Sequence, residues 1–127
     1  DLLKNFRNCV DSICRLFWLG IGNVKLVSKY YVLAYVVHKH EGELFRVNLR
    51  APRTFVAESM LKVNYSFNYS SFPNVTDIIN LLFTVKSVFE SNKEILYEYN
   101  VSCMETDKNI TPVYKWLASN ENTVIPN

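Results

Sequence analysis

The chain has 127 residues, 49% apolar and 14% aromatic, which is the size of one domain able to bury roughly two thirds of its unfolded surface. Fourteen Lys and Arg against 12 Asp and Glu give a net charge of +2, and charged residues make up 20%; this excludes a polyelectrolyte binder of nucleic acid and excludes disorder over most of the chain. No apolar run reaches the roughly 18 residues of a membrane span, and no charged-then-apolar leader opens the sequence.

Residues 2–19 carry a helical pattern. Leu2, Phe6, Cys9, Ile13 and Leu16 form one apolar seam, and Leu3, Phe6, Val10, Ile13 and Phe17 form a second. The two together predict a stripe wider than a surface helix needs, with one seam for the core and one for a partner. Gly20 and Gly22 end the helix.

Residues 24–40 predict a long strand, broken near Ser28, and the apolar run 30–37 marks it as central. Glu41-Gly42 reads as a hairpin turn. Residues 43–51 alternate, with Phe45, Val47, Leu49 and Ala51 on one face and Arg46, Asn48 and Arg50 on the other, until Pro52. Residues 54–61 fit a helix or a strand. From Leu61 alternation resumes, with Leu61, Val63, Tyr65, Phe67 and Tyr69 inward and Lys62, Asn64, Ser66 and Asn68 outward.

Ser70 to Pro73 reads as a loop and Asn74 as a helix N-cap, with Asp77 in the capping-box position. The helix is expected to run to about Ser91 with Val75, Ile78, Leu82, Val85 and Phe89 along one face, and residues 94–104 alternate as a fourth strand, with Ile95, Tyr97, Tyr99, Val101 and Cys103 inward and Glu98, Asn100 and Ser102 outward. Thr111-Pro112 predicts the start of a short helix holding Val113, Trp116 and Leu117. The fold class expected is α+β: a single domain with an antiparallel sheet of about four strands backed by two or three helices, in the order α-β-β-β-α-β-α. In element order, a helix leading into an antiparallel meander and then helices, the chain resembles the RWD-type domains that cap coiled coils in kinetochore proteins. The strand expected between the last two helices departs from that pattern.

Chemistry-bearing motifs are sparse. Only three glycines occur, and Gly20-Ile21-Gly22 lacks the third glycine of a dinucleotide loop, so no nucleotide cofactor is expected. Cys9, Cys14 and Cys103 read as buried small hydrophobes, one bridge plus a free thiol being the alternative. His38 and His40 fall on one face of a strand and would need a third ligand such as Glu43 to hold zinc. A thiol dyad of Cys103 with His38 needs the fold to join them. No metal, cofactor or catalytic residue is assigned.

Binding is the reading that remains. The first helix offers Phe6, Val10, Phe17 and Trp18 as a docking or oligomerisation seam. The polar sheet face offers Arg46, Arg50 and Lys62 to an acidic protein or, as an alternative, to nucleic acid; residues 25–62 carry a local charge of +4. Asn-x-Ser/Thr occurs at Asn64, Asn68, Asn74, Asn100 and Asn109, where chance gives about two. Asn64, Asn68 and Asn100 are outward by alternation and are the glycosylation candidates. Asn74 is a helix cap and Asn109 is followed by Pro112, so both are poorer acceptors. The expectation is a non-enzymatic protein-interaction or self-association module, intracellular in preference to secreted, with a secreted or surface glycoprotein domain as the alternative.

Overall fold

The computed structural model describes residues 2–17, 20–65, 72–104 and 110–117. Chain order is α1 (Leu2–Leu16), α2 (Val24–Val27), β1 (Val32–His38), β2 (Glu41–Ala51), β3 (Thr54–Asn64), α3 (Phe72–Met104) and α4 (Tyr114–Leu117). The strands form one antiparallel sheet in the order β1-β2-β3, so the fold is mixed α+β with three strands among the described residues.

Helix α1 lies across β1 and β2. Its two seams bury together only from Phe6 to Phe17, apart from Leu16, which stays exposed like Leu2 and Leu3. Cys9, Ile13 and Phe17 are buried, while Phe6 and Val10 are half-buried against the sheet. The physical reason is angular: Cys9 and Val10 flank Phe6 and Ile13 within about 100° of helix surface, and one sheet face covers that width. Phe17 is only 2% exposed, edge-on to Tyr30 and Tyr99 at 5.5 and 4.8 Å, so it is a core residue and not part of a docking seam. Trp18 lies outside the described residues.

Gly20 adopts φ 57°, the left-handed conformation that costs glycine nothing. The following residues then pair with the chain's last described segment: Val24 N–H donates to Thr111 C=O at 2.9 Å, and Val113 N–H donates to Gly22 C=O at 3.0 Å. The expected strand over 24–40 is therefore divided. Asn23 caps α2 by accepting from Lys25 N–H at 3.0 Å, Ser28 ends it, and the strand starts only at Val32.

The β1–β2 turn is Lys39-His40, with His38 opposite Glu41, and Gly42 belongs to β2. Lys39 supplies the positive φ, 56°, that the sequence suggested would come from glycine. The register between β2 and β3 shifts at Leu44/Phe45, where Leu44 opposes Leu61 and Phe45 opposes Ser59, leaving Met60 as the extra residue of a bulge. The bulge reverses the facing of everything beyond it. Lys62 opposes Glu43, on the face of Phe45 and Val47, while Arg46 and Arg50 share the other face with Glu58.

Helix α3 is the largest difference from expectation. It begins at Phe72 with Pro73 in its first turn, where a missing N–H costs nothing, so Asn74 is inside the helix and not its cap. It runs through residues 94–104, which form no strand. Neither glycine nor proline occurs between Asn74 and Thr111, so nothing stops the helix once begun. Its inner positions, Leu81, Val85, Val88, Asn92, Leu96 and Tyr99, recur at helical spacing, whereas Tyr97 and Val101 from the expected strand face are exposed. Helix α3 meets β3 and α2, and Leu44 and Val63 are buried on the sheet face opposite α1. The expected four-strand sheet with one open polar face is thus replaced by three strands with buried residues on both faces. Helix α4 starts two residues after Pro112, whose C=O accepts from Lys115 N–H at 3.1 Å.

Candidate interaction surface

The sheet face away from α1 holds the expected arginines but not as an open cationic patch. Arg50 and Arg46 converge on the Glu58 carboxylate, Arg46 at 3.5 Å, and the Arg46 guanidinium sits 4.6 Å from the centre of the Tyr31 ring. The Arg50 guanidinium, by its hydrogen bond, holds the Glu58 carboxyl below the usual carboxylate range. Asn48, expected outward, is buried: its amide donates to the Ser28 C=O at 2.6 Å and its Oδ1 accepts from Arg50 at 3.2 Å. Three cations that a straight alternation would group are therefore divided, two sharing one acid, which leaves that trio at +1, and one on the opposite face.

His38 ends β1 and His40 lies in the turn, so the two imidazoles do not share a strand face. Among the described residues no group of three or more His, Cys, Asp or Glu is placed to hold a metal ion. Cys103 packs against the Ile13–Phe17 cluster near Leu49, about 25 Å along β2 from the His38 hairpin, so the two do not form a dyad. All three cysteines are free thiols. Burial pushes the Cys9 and Cys14 thiols up, which keeps both protonated and unreactive at neutral pH.

Asn64 and Asn100 are exposed, Asn64 at the end of β3 and Asn100 on α3. The Ser102 of the second acceptor motif is buried, donating to Tyr99 C=O at 2.7 Å and accepting from Asn23 N–H at 3.1 Å. Asn68 and Asn109 lie outside the described residues.

The outer face of α3 holds four of the five residues that periodicity aligns along this helix, Val75, Ile78, Leu82 and Phe89, and only Val85 is half-buried. Val75, Ile78, Ile79, Leu82, Phe83 and Phe89 are all exposed, the last three at 63, 64 and 61%. They recur at spacings of three and four, and so form one stripe along the N-terminal half of the helix. Together they leave on the order of 600 Å² of apolar surface bare, at the upper end of what a monomer shows. Lys86 interrupts the stripe and is matched within the helix by Glu90 at 3.9 Å. Periodicity aligns these residues without telling which side of the helix is covered, and the inner positions Leu96 and Tyr99 that decide it lie in residues expected as strand. Among the described residues no helix is long and apolar enough to cross a membrane.

Comparison with protein-family models, curated proteins and solved structures gives no match, so the likeness to RWD-type domains stays one of element order.

Proposed function

We propose that the chain is a non-enzymatic protein-interaction module that self-associates through the outer face of α3. The observation that carries this reading is the exposed stripe from Val75 to Phe89. Its area, on the order of 600 Å², approaches the roughly 800 Å² per partner of a standard interface. The one cation within it is already paired along its own helix, so two copies of the face meet without like-charge repulsion. This moves the docking role from α1, where Phe17 is core, to α3. Sedimentation equilibrium tests it. Wild-type protein is expected to dimerise, and the double variant Leu82→Asp/Phe83→Asp to be monomeric with an unchanged far-UV spectrum. A wild type that stays monomeric up to its solubility limit overturns the reading.

A second reading, a secreted or surface glycoprotein domain that binds another protein, is favoured by the exposure of Asn64 and Asn100 at acceptor motifs. Deglycosylation of protein expressed in eukaryotic cells tests it by mass: loss of mass supports it, and an unglycosylated product removes it.

A further inference from the structure

Strand β1 is an edge of the sheet, and its register fixes which main-chain groups face outward. The residues flanking a two-residue hairpin loop exchange both hydrogen bonds, here His38 and Glu41. Val32, Ala34 and Val36 therefore also turn their N–H and C=O toward β2, and Tyr31, Leu33, Tyr35 and Val37 turn theirs away. Tyr31 agrees: its N–H donates to Asn92 Oδ1 at 3.1 Å, and its C=O accepts from Asn92 Nδ2 at 2.7 Å. A carboxamide stands where one residue of a neighbouring strand would stand. Beyond it, Leu33, Tyr35 and Val37 repeat the same outward pair along an edge with no further strand among the described residues.

The two edges differ in a way that matters. β3 is blunted by Glu58, Lys62 and the bulge at Met60, devices that discourage pairing. β1 has no charge and no proline from Val32 to Val37. It is also flanked by two clefts. One of about 270 Å³ is lined by Asn5, Asn8 and Ser12 of α1, and one of about 440 Å³ by Phe89, Asn92 and Lys93 of α3. The two linings hold one charge, that of Lys93, and no carboxylate.

We propose that the Leu33–Val37 edge of β1 takes an extended peptide segment of a partner protein as a fourth strand. The peptide alternates apolar residues, which pack against Leu33 and Phe89, with polar ones facing Asn5, Asn8 and Ser12, and it carries an acidic residue where it passes Lys93. Main-chain pairing supplies the affinity and the clefts supply the selection. The site shares only Phe89 with the α3 stripe, and Leu33→Pro on one side and Leu82→Asp/Phe83→Asp on the other distinguish its failure from that of self-association.

The test pans a displayed library of random linear peptides against the whole chain and synthesises the enriched sequence. Enrichment of alternating apolar residues with one Asp or Glu is expected. Binding is expected to slow amide exchange at Leu33, Tyr35 and Val37. Leu33→Pro removes one outward N–H and leaves the β2 ladder whole, so it should weaken binding at least about tenfold. Should that variant fail to fold, the same peptide N-methylated at alternate residues gives the equivalent loss on the wild-type chain. No enriched sequence, or binding indifferent to N-methylation, overturns the proposal. So does a dimer that survives Leu82→Asp/Phe83→Asp and is lost in Leu33→Pro, because the edge is then filled by a second copy.

Discussion

The hydroxyl of Tyr99 accepts a hydrogen bond from the main-chain N–H of Gly22 at 3.3 Å, joining the C-terminal end of α3 to the loop after α1 across 77 residues of sequence. The same ring stands edge-on to Phe17, so one side chain ties together the long helix, the first helix and the segment that pairs with residues 111–113. Only glycine permits this approach, because a Cβ on residue 22 would sit 2.6 Å from Tyr99 Cζ. Gly22→Ala is expected to cost about 1–3 kcal/mol, the range for overpacking a core. Tyr99→Phe keeps the ring and loses only the hydrogen bond, about 1 kcal/mol. Urea denaturation of both variants checks the order.

Tyr99 also sets an alkaline limit. Burial above all pushes its hydroxyl up to about 12, and burial followed by its hydrogen bond with Tyr65 does the same for Tyr35. The unfolded chain releases these protons near pH 10, before the folded chain does, so stability is whole below about pH 10 and declines as pH rises toward 12. Denaturation midpoints measured across that window should fall in the wild type and fall less steeply in Tyr99→Phe.

Phe17 and Leu16 are neighbours in sequence with opposite surroundings, the first enclosed and the second exposed. Phe17→Ala is expected to cost about 3–5 kcal/mol, as for an aromatic removed from a packed core. Leu16→Ala should stay under about 1 kcal/mol. Thermal melts of the two variants separate a core role for Phe17 from a surface one, since a docking residue would lower association and leave the melt in place.

How far the sequence could be read follows from which signals are local. The alternation of Phe45, Val47 and Leu49 and the stripe from Phe6 to Phe17 are local, and both face where periodicity put them. The bulge at Met60 is not: it is an added residue in the pairing of two strands, invisible in either alone, and it moved Lys62 away from Arg46 and Arg50. Residues 94–104 carry Tyr, Val and Ile in alternation, a sheet-like composition. A helix already running from Phe72 overrides it, because extending costs one residue's ordering per hydrogen bond gained whereas a new strand needs an open edge to join. The exposure of the α3 stripe follows from that same boundary: with the helix ending at Ser91 the stripe reads as its one apolar face, and carried on to Met104 the helix covers the core with Asn92, Leu96 and Tyr99 and leaves the stripe outside.

Among the described residues two non-glycine residues hold the left-handed conformation, Lys39 at φ 56° in the β1–β2 turn and Arg53 at φ 60° in the β2–β3 turn. That conformation costs an L side chain about 1 kcal/mol, and glycine adopts it freely, though it also gains freedom when unfolded. Lys39→Gly and Arg53→Gly are therefore each expected to stabilise by about 0.5 kcal/mol, additively, since the turns lie at opposite ends of β2. Lys39→Val should destabilise, because a β-branched side chain tolerates positive φ least. Differential scanning of the three variants decides the sign.

Asn48 is the residue whose chemistry the fold needs most specifically. It lies buried in the middle of the sheet face shared with Arg46 and Arg50, and its Nδ2 is a donor aimed at the C=O of Ser28, the residue whose N–H closes α2. Asn48→Asp changes one nitrogen to oxygen with almost no change of shape. At neutral pH it sets a carboxylate oxygen against a carbonyl oxygen and loses the hydrogen bond, at about 1–3 kcal/mol. The nearby Arg50 offsets part of this through the other oxygen. Protonated, the Asp hydroxyl donates to Ser28 as the amide did, so the folded state holds this proton more tightly than the unfolded chain does. The sign follows: the variant should be nearly as stable as wild type below the ordinary aspartate range and lose stability as pH rises through neutrality. Asn48→Leu loses the same bond without a titrating group, so its deficit should not vary with pH. If the two deficits run parallel from acid to neutral pH, the hydrogen bond to Ser28 is not what places Asn48 in the core.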